Sequence, residues 1–164
     1  MFGRPSVIDV DLEIKPHEGV GPVPLGATRE RVSETLSSLP GALIQRSSRG
    51  PLDYYFSNAL QVEYDSLGRA CFMGVSWSPE IQVRFTLFGI NPWSLPAREL
   101  FDVLARADGG QHSFNSSEYL FRGLIVSLWN ADSQYDHLGG ETVPVYAQVG
   151  IGNSDYLRAI DELQ

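Results

Sequence analysis

An α+β fold, in which two tandem β-α-β-β-β units form one twisted antiparallel sheet with helices on one face, is predicted by three features of this 164-residue chain. Apolar and polar residues alternate strictly over several segments of strand length. Turns rich in Gly, Asp and Asn separate those segments. Between them lie two stretches with helical spacing, each preceded by a capping residue. A chain of this length is expected to fold as a single domain, 1–164, and to bury roughly two-thirds of the surface its unfolded form exposes.

In chain order, Ile8, Val10, Leu12 and Ile14 alternate with Asp9, Asp11 and Glu13 in a half-buried strand over residues 6–14. Pro16 ends it, and the Gly- and Pro-rich segment that follows admits only a short extended piece at 20–25. Thr28 is placed to cap a helix over 29–38, with Val32, Leu36 and Leu39 on one side, until Pro40-Gly41 stops it. Residues 42–51 read as a loop. The clearest hairpin spans 53–76: Leu60, Val62 and Tyr64 alternate with Gln61, Glu63 and Asp65, and Asp65-Ser66-Leu67-Gly68 turns the chain. After a turn at 76–80, Ile81, Val83, Phe85 and Leu87 form another strand.

Asn91 and Pro92 are expected to open a second helix, running to about Arg106, with Leu95, Leu100, Phe101, Val103 and Leu104 as its apolar face. Strands are then expected at 117–121 and 124–129, a long polar connection at 130–141, and a strand at 143–151. Ser154 is placed to cap a C-terminal helix over 154–163, which docks through Tyr156, Leu157, Ile160 and Leu163. An internal repeat of about 20–76 and 84–151 aligns Leu25-Gly26 with Phe88-Gly89, Thr28 with Asn91, Tyr54 with Tyr119, Phe56 with Phe121 and Val62 with Val126. Residues that agree between the copies are expected in the core.

The net charge of −8 repels phosphate backbones and anionic membranes and favours encounter with a basic protein, so neither direct nucleic-acid nor membrane binding is expected. The first fifteen residues show no basic-then-apolar leader pattern, and a cytoplasmic location is expected. Cys71 is the single cysteine. It sits in the apolar run 70–73, where a thiol is a packing group and not a nucleophile served by His112 or His137. His112, Asp136 and His137 lack metal-ligand spacing, and residues 19–22 lack the Lys and Ser/Thr of a phosphate-binding loop. No catalytic residue, metal or cofactor is therefore expected.

What remains is a surface. Strand parity sends Gln61, Glu63 and Asp65 outward, along with Ile125, Ser127, Trp129, Tyr146 and Gln148. These eight residues, an acidic and aromatic set, are the expected partner-binding residues. The turn Leu25-Gly26-Ala27-Thr28 feeding a helix, with the Tyr/Phe-rich strand after it, resembles the tandem α/β repeat of beta-lactamase inhibitory proteins and the related outer-membrane lipoprotein domain. The resemblance spans about 20–150 and implies a concave sheet that binds another protein; the disulfides and export signal of those secreted relatives are missing from this sequence. The chain is also similar in size and charge to the small acidic immunity proteins of bacteria, from which no residue role carries over.

The expected function is that of a non-enzymatic immunity or antitoxin protein whose partner is a basic toxin domain. The alternative is a small-molecule-binding or enzymatic domain with its pocket between helices and sheet, and a third possibility is a structural subunit. Sequence alone leaves the oligomeric state open.

Overall fold

Local turn chemistry accounts for much of the architecture in the computed structural model, which describes residues 10–46, 50–76, 83–131 and 142–163 and the backbone of 134–135. In the loop 65–69, Asp65 Oδ1 accepts hydrogen bonds from the amides of Leu67 (2.9 Å) and Arg69 (3.0 Å), and Gly68 takes φ 75°. That loop joins strands Leu60–Tyr64 (β6) and Ala70–Ser76 (β7). Upstream lie β1 (Val10–Lys15), β2 (Gly19–Val20), β3 (Val23–Pro24), α1 (Arg29–Ser37), β4 (Gln45–Arg46) and β5 (Leu52–Tyr55). Downstream are β8 (Val83–Leu87), a 3-10 turn (Pro92–Ser94) and α2 (Ala97–Asp108). They are followed by β9 (Glu118–Phe121), β10 (Val126–Trp129), β11 (Gln134–Tyr135), β12 (Val143–Pro144), β13 (Gln148–Gly152) and α3 (Ser154–Glu162).

The fold is α+β with a twisted, mostly antiparallel sheet. Seven strands run in the order β4-β5-β6-β7-β13-β10-β9, every neighbouring pair antiparallel. Two meanders, β5-β6-β7 and β9-β10-β13, meet edge to edge where β7 pairs with β13 and Gly74 faces Gly150. The remaining strands do not join this sheet, as a single sheet would require. They form a second one, β3-β2-β1-β8, in which β1 and β8 run parallel, while β11 and β12 pair alone. Leu12, Ile14, Phe85 and Leu87 are buried on the inner side of this smaller sheet, and Asp11 pairs with Arg84 at 2.7 Å on its exposed side.

One apolar core joins the small sheet, the inner face of the large sheet and the first two helices. Val32 and Leu36 of α1 and Leu100, Phe101 and Leu104 of α2 enter it at the three- and four-residue spacing of a helix face. Thr28 caps α1 by accepting from the Arg31 amide, as its side chain predicts. The second helix differs from expectation. Asn91 caps only the 3-10 turn, and α2 starts after Pro96, which holds an extended ψ of 151°. The third helix differs in place: α3 lies against β7 and β13 on the face of the large sheet opposite the core, where Tyr156 stacks on Phe72 at 4.7 Å. Phe72 and the buried Met73 are consecutive in β7 and therefore point to opposite faces. Helices thus cover both faces.

The cap of α3 is Asn153, whose side chain accepts from the Tyr156 amide at 3.0 Å, with Ser154 already inside the helix. No α3 residue is fully buried. Replacing Asn153 by alanine is expected to cost about 1 kcal/mol, read as a lower midpoint in urea unfolding.

By position in their hairpins, Tyr55 faces Leu60 as Phe121 faces Val126. The hairpin pairings thus place Tyr55 and Leu60, one residue before Phe56 and two before Val62, in the positions that Phe121 and Val126 hold in their own hairpin. Phe56, Phe121, Val62 and Val126 are all buried, but Tyr54 and Tyr119 are only half-buried. The start of the expected strand 6–14, most of the expected turn at 76–80, the start of strand 81–87 and most of the 130–141 connection lie outside the described residues.

Candidate functional site

The side of the large sheet away from the core carries the candidate site, and strand register lays it out in rungs. One rung runs Ser76, Gln148, Trp129, Glu118; the next runs Tyr54, Gln61, Gly74, Gly150, Ser127, Leu120; a third runs Leu52, Glu63, Phe72, Gly152. Five of the eight expected residues, Gln61, Glu63, Ser127, Trp129 and Gln148, therefore share this face. Trp129 is 51% exposed.

Three of the eight stand elsewhere. Asp65 is spent on the β6–β7 turn, where its carboxylate holds two backbone amides. Ile125 falls in the four-residue turn between β9 and β10 with φ 51° and is 6% exposed, so it lies outside the strand whose parity sent it outward. Tyr146 is 1% exposed: the expected strand 143–151 is broken, β13 begins only at Gln148, and both Val145 and Tyr146 are buried in the segment between. The Tyr146 hydroxyl donates to the Asn115 carbonyl and its own carbonyl accepts from Trp93 Nε1 at 3.1 Å. Burial raises that phenol to about 12.

A groove of about 470 Å³ opens on this face between α3 and strands β9 and β10. Phe72, Trp129, Gln148 and Tyr156 line it, with Glu118 toward one end and Arg122 toward the other. Strand glycines make the surface possible. A methyl group at Gly150 would overlap the Phe72 ring and one at Gly152 the Tyr156 ring, while a Cβ at Gly74 would stand 2.6 Å from Gln148 Nε2. Bare backbone at the centre of the sheet lets the aromatic rings and the Gln148 amide lie flat across it. Arg122 Nη2 donates to both carboxylate oxygens of Asp161, at 2.7 and 2.8 Å, which also tethers α3. Glu118 and Glu63 have no ion-pair partner among the described residues.

Tyr156 feels both carboxylates. Its hydroxyl is pushed up to about 12, first by burial and then by its acidic neighbours Glu63, Cys71 and Glu118, so it stays protonated at neutral pH. Glu63 is itself raised above the ordinary carboxylate range by burial. A folded-state value above the unfolded one gives stability that is present at low pH and lost as pH rises through the folded value. Glu63→Gln is therefore expected to melt above the wild type near pH 7, with the difference closing near pH 3, as thermal melts across that range would show.

Cys71 is the extra residue of a β-bulge opposite Glu63, 7% exposed, and its thiol donates to the Glu63 carbonyl at 3.5 Å. Burial raises it to about 11, leaving little thiolate at neutral pH. His112 spends both ring nitrogens locally: Nε2 lies 2.7 Å from the Gly109 carbonyl and 3.1 Å from Asp108, and Nδ1 lies 2.7 Å from the Tyr119 hydroxyl. That pattern fastens the loop after α2 to β9 through both ring nitrogens. His137 and Asp136 lie outside the described residues, among which no cluster of three metal-ligating side chains occurs.

Phe72, Glu118 and Tyr156 line the groove but are not among the eight expected partner-binding residues. The signal that could have found them is the set Gly74, Gly150 and Gly152, glycines inside strands where only a close neighbour explains the missing side chain. The chain matches no family model, no curated protein and no solved structure.

Proposed function

We propose that this chain is a non-enzymatic protein-binding module of the immunity or antitoxin kind, which neutralises a basic toxin domain by covering its active site with the outer face of the large sheet. One observation carries the reading: a half-exposed Trp129 stands on that face at the end of β10, next to the edge strand β9 and in register between Glu118 and Gln148. An exposed indole flanked by polar groups is the composition of an interface hot spot, where one large rigid side chain supplies much of the binding energy. The net charge of −8 favours capture of a basic partner by raising the encounter rate. The likeness of the 25–28 turn and the strand after it to beta-lactamase inhibitory proteins supports the same use of a sheet, and such a role is exercised in the cytoplasm.

The groove volume also favours a second reading, since about 470 Å³ falls in the range of small-ligand sites. Co-expression with the products of adjacent genes separates the two. A stoichiometric complex, with relief of a neighbour's toxicity, is expected for the immunity reading. No complex with any neighbour, and a small molecule retained in the purified protein, would replace it with the second.

A further inference from the structure

We infer that the groove beside α3 is a receptacle for an arginine side chain of the protein partner, with the guanidinium stacked on Trp129 and paired with Glu118. This rests on the protein-binding reading and specifies its anchor. The two residues face each other directly across β9 and β10, so carboxylate and indole stand side by side on one rung, the spacing at which cross-strand side chains touch a common group. Both are exposed, and neither is committed elsewhere: Glu118 has no ion-pair partner among the described residues, and Trp129 makes no ring contact there.

The charges around the groove are complementary to a cation. The positive group lining it, Arg122, already has a carboxylate partner, Asp161, on its Nη2. Glu118 stands at one end, and a second carboxylate, Glu63, faces the groove residue Phe72 directly across β6 and β7 and has no ion-pair partner among the described residues. On the opposite flank of the indole, Gln148 offers an amide oxygen, and Phe72 and Tyr156 give an apolar wall for the methylene stem of a long side chain. A planar, weakly hydrated guanidinium that stacks on an indole while its edge donates to a carboxylate fits this arrangement better than the compact, strongly hydrated ammonium of lysine.

Hexa-arginine and hexa-lysine peptides are the probes, and the indole N–H resonance of Trp129 in the full chain is the readout. Hexa-arginine is expected to shift that resonance saturably, and hexa-lysine at the same concentration to shift it several-fold less. Glu118→Gln is expected to weaken hexa-arginine binding about tenfold, and Glu34→Gln on α1 to leave it unchanged. Trp129→Ala, followed by the resonances of Ser127 and Gln148, is expected to lose as much. Equal shifts with both peptides, or wild-type affinity in Glu118→Gln, would overturn the inference. Its failure is separable from failure of the binding reading. A cognate complex that forms at wild-type affinity with Glu118→Gln and Trp129→Ala would refute the arginine anchor and leave the module reading standing. Absence of any protein complex would refute the anchor together with that reading, whatever the peptides do.

Discussion

Replacing Phe101 by alanine is expected to destabilise the protein by about 4 kcal/mol, the largest effect of any single truncation considered. Phe101 is 2% exposed and sits at the centre of an aromatic group, with ring centroids 4.8 Å from Tyr119, 5.0 Å from Phe121 and 5.5 Å from Phe114. Removing the ring opens a cavity between α2 and β9 and also breaks three edge or tilted ring contacts at once. Because domains of this size are stable by only about 5–15 kcal/mol, the variant should unfold at markedly lower urea concentration. A loss under about 1 kcal/mol in equilibrium unfolding would mean that α2 does not pack on β9 as described.

The second large effect is expected at the ion pair between α1 and the inner face of β5. Asp53 is fully buried, and Arg29 clamps it with Nη2 to Oδ1 at 2.6 Å and Nε to Oδ2 at 2.9 Å. Arg46 stands further off, at 3.7 Å. The same carboxylate, after burial itself, helps push the Tyr55 hydroxyl above its ordinary value. Arg29→Ala leaves a buried charge with only the distant Arg46 for compensation, and breaking such a pair costs about 3 kcal/mol, the lower end of the range because Arg29 is 31% exposed. Arg29→Lys should recover only part, since an ammonium cannot reproduce the two-pronged contact. The combination Arg29→Met with Asp53→Leu should recover most of the loss, because removing both members of the pair leaves no orphaned buried charge. A double variant as unstable as the single one would show that the cost came from packing and not from the orphaned carboxylate.

These residues also show what a sequence can and cannot reveal here. The β6–β7 hairpin was legible because its determinants are neighbours in the chain: Asp65 bonds amides two and four residues on, and Gly68 supplies the positive φ. Ser127 and Trp129 were placed on the correct side because parity was counted within one unbroken strand. Ile125 was not, since two apolar residues, Leu124 and Ile125, sit in a tight turn and extend the look of the strand beyond its start. Tyr146 failed for a related reason: counting by twos assumes a continuous ladder, and the ladder stops at Pro144 and restarts at Gln148.

The parallel pairing of β1 with β8 depends on segments about seventy residues apart and leaves no local trace. Nor does amphipathicity say which face a helix covers. Tyr156, Leu157 and Ile160 form a stripe that any apolar surface would accept, and the surface that takes it is the outer one because Gly150 and Gly152 leave room there for the rings of Phe72 and Tyr156. Aspartate 53 on an inward strand position looks like an error in the alternation until Arg29 is seen above it.

The proposal that the outer face of the large sheet is the binding surface is tested most directly by amide hydrogen exchange on the chain with and without its cognate partner. Protection on complex formation is expected across β9, β10 and β13 and along α3, with β1 and β8 unchanged. Protection confined to β1, β2, β3 and β8, with the segments around Glu118, Trp129 and Gln148 exchanging as in the free protein, would contradict it.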